Sequence, residues 1–176
     1  MIKSKFVEMF ENASDNNLLS DYCAIEKGSN ITRDEVVKGK IPVVAGGISP
    51  SCYHNESNRE ADIITVSASG ANAGYLNYWS IPIFASDCNT IQSLDDKKLL
   101  NIYLYYFLLK KQEYIYSLQR GSSQPHVYGK DLEKIKIAIP SIDMQKIFVD
   151  YVKSCDKLKF EAEKRLEKLK FDHKKV

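Results

Sequence analysis

The sequence predicts a mixed α/β (α+β) fold: an irregular twisted sheet with packed helices, followed by one long C-terminal helix. Three observations carry this expectation. Short apolar segments are interrupted by Pro42 and Pro82, as in a broken sheet. The run from Lys97 to Arg120 is apolar on most of a helical circumference. From Asp143 onward, apolar residues recur at spacings of three, four or seven among Lys and Glu. With 176 residues, 44% hydrophobic, 11 tyrosines and 7 phenylalanines, the chain has material for one core and is not a disordered segment.

The first twelve residues read as a helical stub with Phe6, Met9 and Phe10 on one side, and the polar run Asn12–Asn17 breaks it. Leu18–Ile25 reads as a short strand or a turn of helix. Lys40–Val44 reads as a strand whose Pro42 suits an edge or a strand start. Gly46, Gly47, Ser49 and Pro50 make a loop. Ile63–Val66 is a buried strand, Ser67–Gly74 a turn of small residues, and Tyr75–Trp79 and Ile81–Phe84 are further strand candidates. The helix over Lys97–Arg120 returns to water at Lys110, Lys111, Gln112 and Glu113, and Gly121 stops it. Ile135, Ile137 and Ile139 alternate as a strand that Pro140 ends. The last helix starts at Asp143 as N-cap, with Ile142 and Ile147 as a hydrophobic staple. Its stripe, Tyr151, Cys155, Leu158, Ala162 and Leu169, is too long and exposed for one domain and calls for a partner helix.

Bulk chemistry excludes several classes. The longest apolar run, Ile102–Leu109, is far short of a membrane span, and the N-terminus lacks a signal-peptide core, so a cytoplasmic protein is expected. Cys23, Cys52, Cys88 and Cys155 are widely separated, which gives no zinc pattern and suits reduced thiols. Net charge is +2, but residues 153–176 hold nine Lys or Arg against five Asp or Glu, which leaves sixteen against eighteen in residues 1–152. Charge alone therefore does not announce nucleic-acid binding.

Three segments carry recognition chemistry. Lys27, Ser29, Thr32, Arg33, Lys38 and Lys40 form the basic cluster of the globular part; a solvated loop is the ordinary setting for such a run, and phosphate contact is the alternative. The turn Ser67–Gly74, with Ser69 and Asn72, matches no nucleotide-binding motif, which leaves a tight turn between two strands or a nucleic-acid-contacting loop. Arg120, Ser122, Ser123, Gln124 and His126 put a guanidinium, hydroxyls, an amide and an imidazole on one turn. Such groups can meet purine edges and phosphate, or can instead cap the helix. Tyr75 could stack on a base, as could Tyr53, Tyr78 and Trp79, although aromatics at strand spacing are more often core. Ser67 and Ser69 have no nucleophile elbow, the three histidines sit in separate segments, and Asp131, Glu133 and Lys134 make only a faint nuclease-like pattern.

The order of four patterns resembles the DNA-specificity (S) subunit of type I restriction-modification enzymes. These are the stub Ser4–Phe10, the opening Cys23–Gly47, the strand and Gly-rich turn Ile63–Gly74, and the closing run Arg120–Gln145. The resemblance implies a target recognition domain over residues 13–142 between the stub (1–12) and a coiled-coil helix (143–176), hence a half-subunit where the family's full subunit carries two units. It implies double-stranded DNA as ligand and the methyltransferase (M) and endonuclease (R) subunits as partners. It also implies no catalysis in this chain: S-adenosylmethionine, ATP and magnesium would belong to the partner subunits. Homodimerisation through the C-terminal helix is expected from the apolar stripe. A non-DNA-binding assembly module and a small metal-dependent nuclease remain the alternatives.

Overall fold

The computed structural model describes residues 1–173; in the final helix, the side chains of residues 169 and 171–173 lie outside the description, and with them Leu169 of the expected stripe. Helix α1 (Ile2–Phe10) buries Phe6 and Phe10, as their spacing on one face requires. The expected ambiguity at Leu18–Ile25 resolves into three elements: β1 (Asn17–Leu18), a single helical turn α2 (Leu19–Tyr22) and β2 (Cys23–Lys27). A 3-10 turn (Arg33–Glu35) leads to β3 (Lys38–Val44) and β4 (Cys52–His54). After these come β5 (Ile63–Ser67), β6 (Leu76–Trp79), β7 (Phe84–Ala85) and β8 (Cys88–Ser93).

The strands form three small sheets rather than one. An antiparallel sheet has the order β2-β8-β5-β6, and a second has the order β4-β3-β7 with β3 and β7 parallel. The third sheet pairs β1 with β9 (Lys136–Ile137), which ties the start of the domain to its end. Pro42 lies on the middle strand of its sheet, not on an edge. It is tolerated because β7 pairs only with Val43 and Val44, so the strand is bonded on one side alone at Pro42. Every residue of β5 is buried, since the strand separates two cores. Ile64 and Val66 join the main cluster, and Ile63 joins a smaller one with Val44, Ile83, Ala85 and Cys88.

The expected long internal helix is two helices, α3 (Asn101–Lys110) and α4 (Gln112–Ser117), broken at Lys111. Lys111 pairs with Asp15 and lies over the Phe107 ring, and the Gln112 side chain bonds the backbone of Gly74 and Leu76, so neither simply returns to water. Gly121 is not the helix stop. It sits at φ +94° in a separate hairpin, where a Cβ would lie 2.8 Å from the Gln124 carbonyl oxygen. A short turn, α5 (Gly129–Leu132), precedes β9 and the final helix α6 (Ile142–His173).

Helix α6 is capped by Ser141 rather than Asp143. The Met144 N–H donates to Ser141 Oγ at 3.4 Å and the Gln145 N–H to the Ser141 carbonyl at 3.1 Å, while Ile147 of the expected staple is exposed. Phe148 and Val152 enter the main core, where Phe148 meets the ring of Phe6 at 5.1 Å and Phe10 meets Tyr103 at 4.9 Å. The fully buried Gln145 fixes the base of α6, accepting from Leu100 N–H and donating to the Lys98 and Pro140 carbonyls. Beyond Cys155 the described part of α6 leaves the domain, with Leu158 64%, Phe160 57% and Leu166 53% exposed.

Candidate functional site

Backbone pairing brings two of the three sequence-selected segments together. Arg120 and His126 exchange N–H···O bonds of 2.9 and 2.8 Å, closing a hairpin whose tip exposes Ser122, Ser123 and Gln124. The other edge of the His126 segment bridges Ser69: Gly70 N–H donates to Pro125 O, and Val127 N–H to Ala68 O, each at 3.0 Å. The buried Asn89 of β8 donates its amide to Val127 O at 3.0 Å and holds this segment on the sheet.

The Gly-rich turn is equally tied down. Gly70 and Gly74 have φ of +80° and +89°, and the Ala73 and Gly74 carbonyls accept the side-chain amides of Gln119 and Gln112. Asn72 accepts the Tyr75 N–H through its backbone carbonyl, and both residues are half-buried. The Ser69 hydroxyl donates to the Asp87 carboxylate.

A groove of about 920 Å³ runs between this hairpin, the end of β2 and α5, with Lys27, Arg120, His126, Lys130, Asp131 and Lys134 in its wall. Arg120 Nη2 donates to Asp131 Oδ1 at 2.7 Å, and Lys134 Nζ lies 3.6 Å from the same oxygen. The Tyr128 ring, half exposed, stacks on His126 with centroids 6.0 Å apart. Arg59 positions Lys27: its Nη2 donates to the Lys27 carbonyl at 3.1 Å and pairs with Glu26 at 3.0 Å, while its Nε donates to Thr90 Oγ1.

The remaining basic residues stand apart from the groove wall. Ser29 donates its N–H to Ala85 O; its side chain, with those of Arg33, Lys38 and Lys40, is exposed on the following loop and β3. Thr32 caps the 3-10 turn. Its N–H and Oγ1 both donate to Glu35, which holds the Glu35 carboxyl below its ordinary range. Sequence reasoning missed Lys130, Tyr128 and Arg59, and met Lys134 only in a faint nuclease-like pattern. The readable signal for Tyr128, Lys130 and Lys134 was the run Tyr128-Gly-Lys-Asp-Leu-Glu-Lys134, a helical turn opening right after the hairpin. Arg59 gave no signal, because its partners come from distant strands.

Among the described residues, no group of three or more His, Cys, Asp or Glu could hold a metal ion. Among the same residues, no helix is long and apolar enough to cross a membrane. Burial pushes the Cys23 and Cys88 thiols up to about 12, far from the range of a reactive thiolate.

A family model for the type I restriction modification DNA specificity domain matches residues 16–170. The type I restriction enzyme MjaVIII specificity subunit of Methanocaldococcus jannaschii is 31% identical over 102 residues, which is 57% of this chain and 23% of that protein. The fold is that of the type I restriction-modification S subunit from M. genitalium, with TM-score 0.71, 20% identity, 84% of this chain and 40% of that one covered. It is also that of the HsdS subunit from Thermoanaerobacter tengcongensis, with TM-score 0.61, 15% identity, and 89% and 42% covered. The chain thus spans less than half the length of each of these relatives. Its residues 16–170 carry the match, and the chain belongs to the type I restriction modification DNA specificity domain family.

Proposed function

We propose that this chain reads one half of a bipartite double-stranded DNA site as the specificity component of a type I restriction-modification system, and that it performs no chemistry itself. The observation that carries the reading is the groove. It gathers Arg120, His126, Lys130 and Lys134 from the single stretch 120–134 together with Lys27 from the distant end of β2, beside an exposed Ser122-Ser123-Gln124 tip. Cations there suit phosphate, and the guanidinium and amide suit purine edges in the major groove. Arg33, Lys38 and Lys40, exposed on the adjoining loop and strand, suit phosphate contact outside the groove. Ser29, Thr32, Ser69, Asn72 and Tyr75 serve chiefly by shaping the loops that present these groups.

Family membership supports a partner reading. A methyltransferase subunit and, through it, an endonuclease subunit would be directed to the site in the cytoplasm, with S-adenosylmethionine, ATP and magnesium bound by them. Residues 13–142 would form the recognition domain and the helix that follows, described to His173, the assembly element, with residues 1–12 bracing the two. Homodimerisation through Leu158 and Ala162, continuing along the Tyr151 and Cys155 side, would supply the second half-site reader.

Changing Lys38 and Gln124 separately to Ala, with duplex binding titrated at two salt concentrations in the presence of the methyltransferase subunit, tests the assignment. Lys38→Ala should weaken every duplex alike and lower the salt slope by about one, whereas Gln124→Ala should cost about 1 to 3 kcal/mol on the cognate site alone. Equal losses on cognate and scrambled duplexes for Gln124→Ala would make the tip a scaffold.

A further inference from the structure

The groove holds acids as well as cations: Asp87, Asp131 and Glu133 share its wall with Lys27, Arg120, Lys130 and Lys134. A carboxylate facing a polyanion is unfavourable unless it does something else there. Asp87 accepts the Ser69 hydroxyl, which ties the Gly-rich turn to the loop before β8. Asp131 has a different setting. Its side chain is only 10% exposed, it sits on α5 beneath the hairpin, and one of its oxygens holds Arg120 Nη2 at 2.7 Å with Lys134 at 3.6 Å.

Arg120 itself is 65% exposed in its side chain, so the ion pair anchors one corner of the guanidinium and leaves its other N–H groups facing outward. Among the described residues, the guanidinium makes no other hydrogen bond. Resting on the reading of Arg120 as a base reader, we infer that Asp131 is a positioning residue for DNA specificity: it aims Arg120 at a base edge and withholds it from phosphate. Two physical effects point the same way. A planar guanidinium fixed by a charge-assisted bond loses little further rotamer freedom on meeting guanine O6 and N7. A cation already balanced by a nearby carboxylate releases little counter-ion when it meets phosphate, so it contributes little to sequence-independent binding. Lys27 and Lys130 have no carboxylate within ion-pair distance among the described residues, and are the better phosphate ligands.

This role has a signature that a merely structural one lacks, because removing Asp131 should move specific and non-specific binding in opposite directions. The experiment uses the full chain with the methyltransferase subunit and a random-sequence duplex library, comparing wild type with Asp131→Ala, Asp131→Asn and Arg120→Ala. Asp131→Ala should relax preference about tenfold at the one base pair that Arg120→Ala also relaxes. It should also tighten binding to scrambled duplexes and steepen the salt slope by about one. Asp131→Asn, which keeps an acceptor for Arg120, should shift both quantities the same way by less, and it serves if the alanine variant is unstable. If Arg120→Ala relaxes that base pair while neither Asp131 variant does, or if both variants weaken all duplexes alike, the positioning role is wrong and the base-reading role of Arg120 stands. If Arg120→Ala itself leaves the preference intact, Arg120 is not a reader and Asp131 has nothing to aim.

Discussion

At the scale of single residues, the molecule is held by polar side chains that sequence patterns undervalue. Gln145 is fully buried and satisfies Leu100 N–H and the Lys98 and Pro140 carbonyls at 2.8 to 2.9 Å. Gln145→Leu would leave these backbone groups without partners, and a loss on the order of 2 to 4 kcal/mol in urea denaturation is expected. A loss below 1 kcal/mol would mean that water replaces the amide. The thiols make a second residue-level prediction. Since burial raises Cys23 and Cys88 to about 12, they stay protonated at pH 8, whereas Cys52 and Cys155 are partly exposed. A thiol reagent at that pH should therefore modify Cys52 quickly, Cys155 only where α6 is unpaired, and Cys23 and Cys88 only on unfolding. In the groove, Arg120, His126 and Lys27 were legible from residue type alone, because guanidinium, imidazole and ammonium groups cluster on turns. Arg59 was not, since what it does depends on Thr90 and the Lys27 carbonyl, which only the folded sheet brings to it.

At the scale of elements, α6 is two things in one helix. Its first three turns are part of the core through Gln145, Phe148 and Val152; the rest carries Leu158, Ala162 and Leu166 on one exposed face, spaced four apart. A helix of 32 residues reaches about 48 Å, well beyond a domain of this size. Leu158→Glu should convert a self-associated chain to monomer in sedimentation at tens of micromolar, with its melting temperature nearly unchanged because Leu158 lies outside the core. A wild-type chain already monomeric there would assign the face to another subunit. Apolar patterning made α1, β5 and the existence of α6 readable in advance, although not the Ser141 cap that starts α6. Strand β8 was not readable, although it lies inside its sheet. Asn89, Thr90 and Gln92 give it a polar loop-like sequence, and burial of Asn89 and Thr90 becomes favourable only because Val127 O, Glu26 O and Arg59 complete their hydrogen bonds. The break at Lys111 was hidden for a related reason: Asp15, which holds that lysine, lies 96 positions away.

At the scale of the whole molecule, β1–β9 pairing and the α1–α6 aromatic contacts join the start of the chain to the base of α6, so the groove and the first turns of α6 share one core. That shared core gives the proposed dimer a consequence for DNA. A two-fold axis through paired α6 helices would present two identical grooves in opposite directions, so the recognised site must be an interrupted palindrome. The measurement that tests this account most directly is selection from a random duplex library by the full chain with the proposed methyltransferase partner, read out by sequencing. The account predicts enrichment of one short half-site repeated in inverted orientation at a fixed spacing. Sequences no more enriched than the input would contradict DNA recognition itself, and two unrelated half-sites would contradict the symmetric pair.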